Sequence, residues 1–77
     1  MSQRKITFYI NDKPITRWYG TTVEQGVLAY DQGEYLALKR DEAWVVDGRG
    51  SRVGRGGTLD NGARLYIRHV RDEFREP

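Results

Sequence analysis

Seventy-seven residues make one domain with a small core, because a chain this short buries only about 60% of the surface it exposes when unfolded. There is no cysteine, which excludes disulfides, thiolate metal sites, cysteine-held iron–sulfur clusters and a cysteine nucleophile. Thirteen basic and eleven acidic side chains leave a net charge of +2, a near balance that weakens any case for a dedicated nucleic-acid binder.

The start, "MSQRKITFYIN", holds no apolar run long enough for a signal peptide, and nothing later approaches the roughly 20 residues of a membrane span. The expectation is a soluble, cytoplasmic, monomeric protein with no membrane partner. In "KITFYIN" the apolar residues Ile6, Phe8 and Ile10 alternate with Lys5, Thr7 and Tyr9, the period of a half-buried strand. "NDKP" supplies turn residues and "PITRWYG" a returning strand that ends at Gly20, so the two form a hairpin.

The period then changes. Thr21 followed three residues later by Glu24 reads as a capping box. Val23, Val27 and Tyr30 recur at helical spacing with Leu28 beside them. Gly33 is a natural stop, which predicts a helix over about 22–32. Gly26 costs such a helix about 1 kcal/mol relative to alanine, so its presence points to close packing against a neighbour.

"EYLALKRDEAWVVD" reads as two short strands joined by a charged turn at Arg40–Glu42. Leu36 and Leu38 face inward on the first, and two of Ala43, Trp44, Val45 and Val46 on the second. "TLDNGARLYIRHV" gives a turn at "DNG" and a closing strand with Leu65 and Ile67 on one face, His69 in line with them. The expected core is Ile6, Phe8, Ile10, Val23, Val27, Leu28, Leu36, Leu38, Val46, Leu59, Leu65 and Ile67. The domain runs over 1–71, with 72–77 a frayed charged tail. Strand, strand, helix and three strands is the order of an α+β, β-grasp domain, a mixed sheet of about five strands packed on one helix.

Between the last two strands lies "DGRGSRVGRGG", with five glycines and three arginines in eleven residues. Residues 49–71 carry six arginines against Asp60 alone. "GRGSRVG" lacks the following helix that a phosphate-binding glycine loop needs, and "GK[ST]" is absent. The stretch reads as a turn at "DGRG", a brief extended piece at "SRV", and slack at "GRGG" leading to Thr58. Glycine suits such turns, but nothing in them requires arginine.

Three segments are similar to the small sulfur-carrier proteins of thiamine and molybdopterin biosynthesis, the ThiS/MoaD family. "ITFYINDKPI" resembles their opening hydrophobic–Asn–turn–hydrophobic hairpin. "GTTVEQGVLAY" resembles their Gly-x-Thr-Val-x-x-Leu-Leu helix start, over Gly20–Tyr30. "LDNGARLYIRHV" resembles their closing strand, with Leu59 and Gly62 matching and Ala63 in place of the usual acid. The resemblance implies a ubiquitin-like β-grasp fold. It also implies chemistry at a C-terminal Gly-Gly, and no residue of "IRHVRDEFREP" inherits that role.

The remaining chemistry is sparse. His69 has no second histidine to complete a metal site, Ser2 and Ser51 have no placed base, and the pairs Asp41–Glu42 and Asp72–Glu73 fall at a turn and a tail. The expectation is a non-enzymatic binding or adaptor module without cofactor or metal, acting on a protein partner. Its candidate contact surface is Trp18, Tyr19, Trp44, Arg49, Arg52, Arg55, Arg64, Tyr66 and Arg68, residue types that dominate interface hot spots. Two alternatives stand beside it: a sulfur-carrier-like protein with a processed or divergent C-terminus, and a weak nucleic-acid binder using the arginines and aromatics.

Overall fold

The computed structural model describes residues 4–70; the expectation of a frayed tail over 72–77 lies outside them. Alternation in "KITFYI" produces strand β1 (Lys5–Ile10), and β2 (Lys13–Trp18) returns antiparallel to it. Their two-residue connection places Asn11 and Asp12 both at positive φ (51° and 68°), a left-handed pair that matches strand twist and that Asn and Asp tolerate better than most residues. The Asn11 side chain then ties this hairpin to the rest of the molecule. Its Oδ1 accepts from the Ile67 amide (3.1 Å) and its Nδ2 donates to the Tyr30 hydroxyl (3.2 Å).

Two helices follow, not one. Helix α1 covers Val23–Tyr30 and α2 covers Gln32–Lys39, separated by the extended residue Asp31 (φ −164°, ψ 124°). Asp31 ends the first helix by donating its amide to the Val27 carbonyl (2.8 Å) and starts the second by accepting from the Glu34 amide (3.1 Å). The strand expected over "EYLALK" is therefore helix. Leu36 and Leu38 are spaced for one sheet face, but on α2 they point apart: Leu38 is buried and Leu36 is 43% exposed. Gly33 sits inside α2 and is not a helix stop. The capping box of α1 is Thr22 with Gln25, one residue beyond the expected Thr21–Glu24 pair. Thr21 instead donates its hydroxyl to the Trp18 carbonyl (2.7 Å).

Strand β3 (Ala43–Asp47), the two-residue strand β4 (Arg52–Val53) and β5 (Arg64–His69) complete a mixed sheet in the order β2-β1-β5-β3-β4. The β1–β5 pair at its centre is parallel, and the other pairs are antiparallel. Five strands are present as expected. The fifth comes from "SRV" inside the glycine-arginine stretch and takes the place of the "EYLALK" strand.

Both helices cover one face of the sheet. Ile6, Phe8, Ile10, Ala43, Val45, Leu65 and Ile67 point into that face and meet Val23, Val27, Leu38 and Leu59. Ten of the twelve expected core residues are buried; Leu28 (45% exposed) and Leu36 are the exceptions, both on helix faces turned to solvent. Ala43 and Val45 supply the inward pair of β3. Val46 is buried on the opposite face, away from the helices.

The outer edge of β2 is closed by its own residues. Pro14 has no amide to donate, and Arg17 turns its guanidinium back onto the Thr16 carbonyl at 2.7 Å. Proline and basic side chains are common means of keeping an edge strand from pairing with another chain.

Gly26 sets how closely α1 lies on the sheet. A Cβ there would stand 2.9 Å from Leu59 Cδ1 and 3.0 Å from Phe8 Cε2, both in buried side chains. Helix propensity alone makes Gly26→Ala stabilising by about 1 kcal/mol, but overpacking costs about 1–3 kcal/mol and the contact wins. The expected result in urea unfolding is a net loss of about 1 kcal/mol for Gly26→Ala, and a less-than-additive loss when Leu59→Ala is combined with it.

Candidate binding face

The face of the sheet opposite the helices gathers most of the expected contact residues. Strand register fixes their positions. Trp44 pairs across to Arg68, and Val46 pairs to Tyr66 on one side and Arg52 on the other. Tyr9 pairs with Arg64, and Lys5 with Trp18 at the far end. Directly opposite residues have Cβ atoms about 4.5–5.5 Å apart, so β5, β3 and β4 carry a continuous arginine–aromatic patch around buried Val46.

Cations lie over the rings of this face. The Arg64 guanidinium is 4.3 Å from the Tyr9 centroid, Arg52 is 5.3 Å from the Trp44 centroid, and the Lys5 ammonium is 4.9 Å from the Trp18 ring. Just beyond the end of β2, Arg4 lies 5.4 Å from the ring of Tyr19. Each such contact contributes about 0.5–1 kcal/mol at an exposed site. More important here, stacking holds a long, mobile side chain flat while its N–H edge stays available.

Trp18 (51% exposed) stands at the other end of the face from the Trp44 patch, and Tyr19 (60%) follows just past the end of β2, outside the strand register that defines the face. Arg49 lies in the β3–β4 turn. That turn is built on Asp47, whose Oδ1 accepts from the Arg49 and Ser51 amides (2.8 and 3.0 Å), with Gly50 at φ +85°. Arg55 belongs elsewhere. Its guanidinium donates to the Leu38 carbonyl at the end of α2 (3.0 Å), with Asp41 at 4.0 Å. Tyr9 and Val46 belong to the patch and were not expected in it; strand alternation, applied to "KITFYI" and "AWVVD" together with the cross-strand register, would have found both.

The "GRGG" segment is not slack. The carbonyl of Gly57 accepts from the Val23 amide (2.9 Å) and that of Arg55 from the Glu24 amide (3.0 Å). The capping box takes the other two: the Thr22 hydroxyl accepts from the Gln25 amide (3.3 Å) and Gln25 Oε1 accepts from the Thr22 amide (3.0 Å). All four orphan amides of the helix start are thus satisfied internally. An anion at this N-terminus would find no free donor, which removes the phosphate-cradle reading on geometry as well as on motif.

Among the described residues, two larger clefts, and one of about 300 Å³ beside Trp44 and Arg52, accompany the sheet. One of about 570 Å³ lies between the β3–β4 turn, the 54–60 segment and the start of β5, floored by Val23, Leu59 and Leu65, with Asp47, Asp60, Arg49 and Arg64 at its rim. The other, about 530 Å³, is lined by Glu34, Ala37, Glu42, His69 and Val70. In it His69 Nε2 lies 2.8 Å from Glu34 Oε1 and joins β5 to α2. Glu34, which pairs with His69, therefore lies on α2, where the alternation of "EYLALK" predicts a strand. Among the described residues no group of three or more His, Asp or Glu side chains is arranged to hold a metal ion, no polar or charged residue is buried, and no helix is long and apolar enough to cross a membrane.

The chain matches no protein-family model and no curated protein.

Arg55 and Arg49 separate a structural arginine from an exposed one. Arg55→Ala is expected to cost about 1 kcal/mol, a fall in melting temperature of about 4–8 °C for a domain of this size. Arg49→Ala is expected to stay within about 0.5 kcal/mol of the parent. Differential scanning fluorimetry of the two variants side by side checks both.

Proposed function

We propose that this chain is a non-catalytic binding module of β-grasp architecture, related in fold to the small sulfur carriers, which docks a protein partner on the open face of its sheet. One observation carries the reading. Trp44, Tyr66, Arg52, Arg64 and Arg68 converge on a face that neither helix covers, and aromatic and arginine side chains around a desolvated centre are what hot spots are made of. The buried Val46 at the middle of this ring supplies that centre.

The architectural part rests on the strand order β2-β1-β5-β3-β4, the parallel central pair and the helix that follows the first hairpin. The non-catalytic part rests on where the polar groups lie. No ionisable side chain among the described residues is fully buried, and the residues gathered on the open face are arginines and aromatics rather than paired acids and bases.

A protein fits the face better than a single-stranded nucleic acid. Base-binding sheets stack bases on open aromatic rings. Here Tyr9, Trp18 and Trp44 each already have a cation over the ring.

A photocrosslinking amino acid placed at Tyr66, and separately at the solvent-facing Leu28 of α1, tests the reading in cells. A discrete protein adduct from position 66 that is missing from position 28 is the expected outcome. Equal labelling from both positions, no adduct from 66, or an adduct destroyed by nuclease would overturn it.

A further inference from the structure

The open face already holds one carboxylate. Asp12, in the β1–β2 turn, accepts from the Tyr66 hydroxyl (3.1 Å) and lies 3.9 Å from the Arg64 guanidinium. A tyrosine hydroxyl and an arginine on neighbouring positions of one strand thus form a carboxylate seat, filled from within the chain. Further along β5, two more arginines stand without an acid. Arg68 stands opposite Trp44, and Arg52 is stacked over the same indole from the β4 side. Among the described residues neither Arg52 nor Arg68 has a carboxylate partner, although Arg55, Arg64, Lys39 and His69 each do.

We infer that Arg52 and Arg68, set on either side of Trp44, form a clamp for the carboxylates of an acidic segment of the partner protein. The inference rests on the docking reading above and adds the chemistry of what docks. Arginine is suited to the task because its planar fork pairs bidentately with carboxylate and is more weakly hydrated than an ammonium. Stacking on Trp44 fixes the plane of Arg52 beforehand, so less side-chain freedom is lost on binding. The outward-pointing positions of β3, β4 and β5 in this patch, Trp44, Val46, Arg52, Arg64, Tyr66 and Arg68, include no acidic residue; Asp12 reaches the patch at its Arg64 end, and the Arg52–Trp44–Arg68 end presents positive charge.

Spacing favours an extended occupant. Arg64 and Arg68 are four residues apart on β5, about 13 Å. Carboxylates on alternate residues of an extended peptide recur about every 6.6 Å on one side. Such a peptide, laid along β5, places one acid between Arg68 and Arg52 and carries the next side chain on that side over Tyr66, short of Arg64, whose carboxylate is Asp12.

The test is an NMR titration of the whole chain with three probes: hexaglutamate, hexathymidylate and hexalysine. Hexaglutamate is expected to move the Trp44 indole signal and the amides of Arg52, Tyr66 and Arg68 and to leave α1 and α2 in place. The apparent affinity should weaken steeply between about 20 and 200 mM salt, as exposed charge pairs are screened. Arg52→Glu/Arg68→Glu should lower it at least tenfold, with amide dispersion retained as proof of folding. Arg52→Lys/Arg68→Lys should keep the charge yet bind more weakly than the parent, through loss of the planar fork.

Absence of shifts with hexaglutamate, or larger shifts in the same residues with hexathymidylate, overturns the clamp. Equal shifts with hexalysine do so as well. The crosslinking experiment keeps the two readings apart. If the position-66 adduct forms undiminished in Arg52→Glu/Arg68→Glu, docking stands and the acidic partner does not.

Discussion

Everything in this domain hangs on how near one short helix can approach one sheet. With Gly26 over Phe8 and Leu59, α1 sits so close that a single added methyl group would collide with the centre of the core. A core this small has no spare layers, so closeness replaces bulk: Phe8, Ile10, Val27, Leu38 and Val45 are each sealed almost completely. A helix lowered onto the sheet also has to end and begin abruptly. The break at Asp31 meets that need by turning the chain into a second helix, which brings Leu38 over the same core.

The same closeness explains the glycine-arginine stretch. The start of α1 is pressed against the segment that leads into β5, and four helix amides there must find acceptors. Backbone carbonyls of Arg55 and Gly57 provide two of them, and an isolated Thr22–Thr58 bridge with the Leu59 amide on the Thr21 carbonyl holds the segments together. Small residues let the loop run this close to the helix. The arginines divide by side: Arg55 faces the helices and fastens the loop to α2, while Arg52 faces outward and rests on Trp44. One composition thus serves an internal cap and an external surface within four residues.

The parts of the fold that could be read in the residues are those where local pattern and tertiary environment agree. The alternation of Ile6, Phe8 and Ile10, the Asn11–Asp12 turn and the inward pair Leu65–Ile67 each follow from spacing alone. "QGEYLALK" misled because Leu36 and Leu38 alternate as in a strand, although only Leu38 is buried. The "DQGE" before them, an N-cap followed by an acid three residues on, is the competing signal, and Gly33, a plausible stop for the first helix, lies instead in the first turn of the second. The binding face was half legible. Arginine and aromatic content marked the right residues, but only the β3–β5 and β3–β4 registers show which of them share a side. Arg55 illustrates the gap: no local pattern tells a guanidinium that will reach a helix carbonyl from one left in water.

Arg17 folding back on the Thr16 carbonyl, next to Pro14 in the same strand, bears on how the domain can be used. The opposite margin of the sheet is only two residues long, so neither side offers an inviting template for strand addition. Crowding then becomes harmless. Many copies could be held together on a scaffold, or joined head to tail in one polypeptide, without their sheets fusing. Multivalent display would multiply the weak grip of a single face.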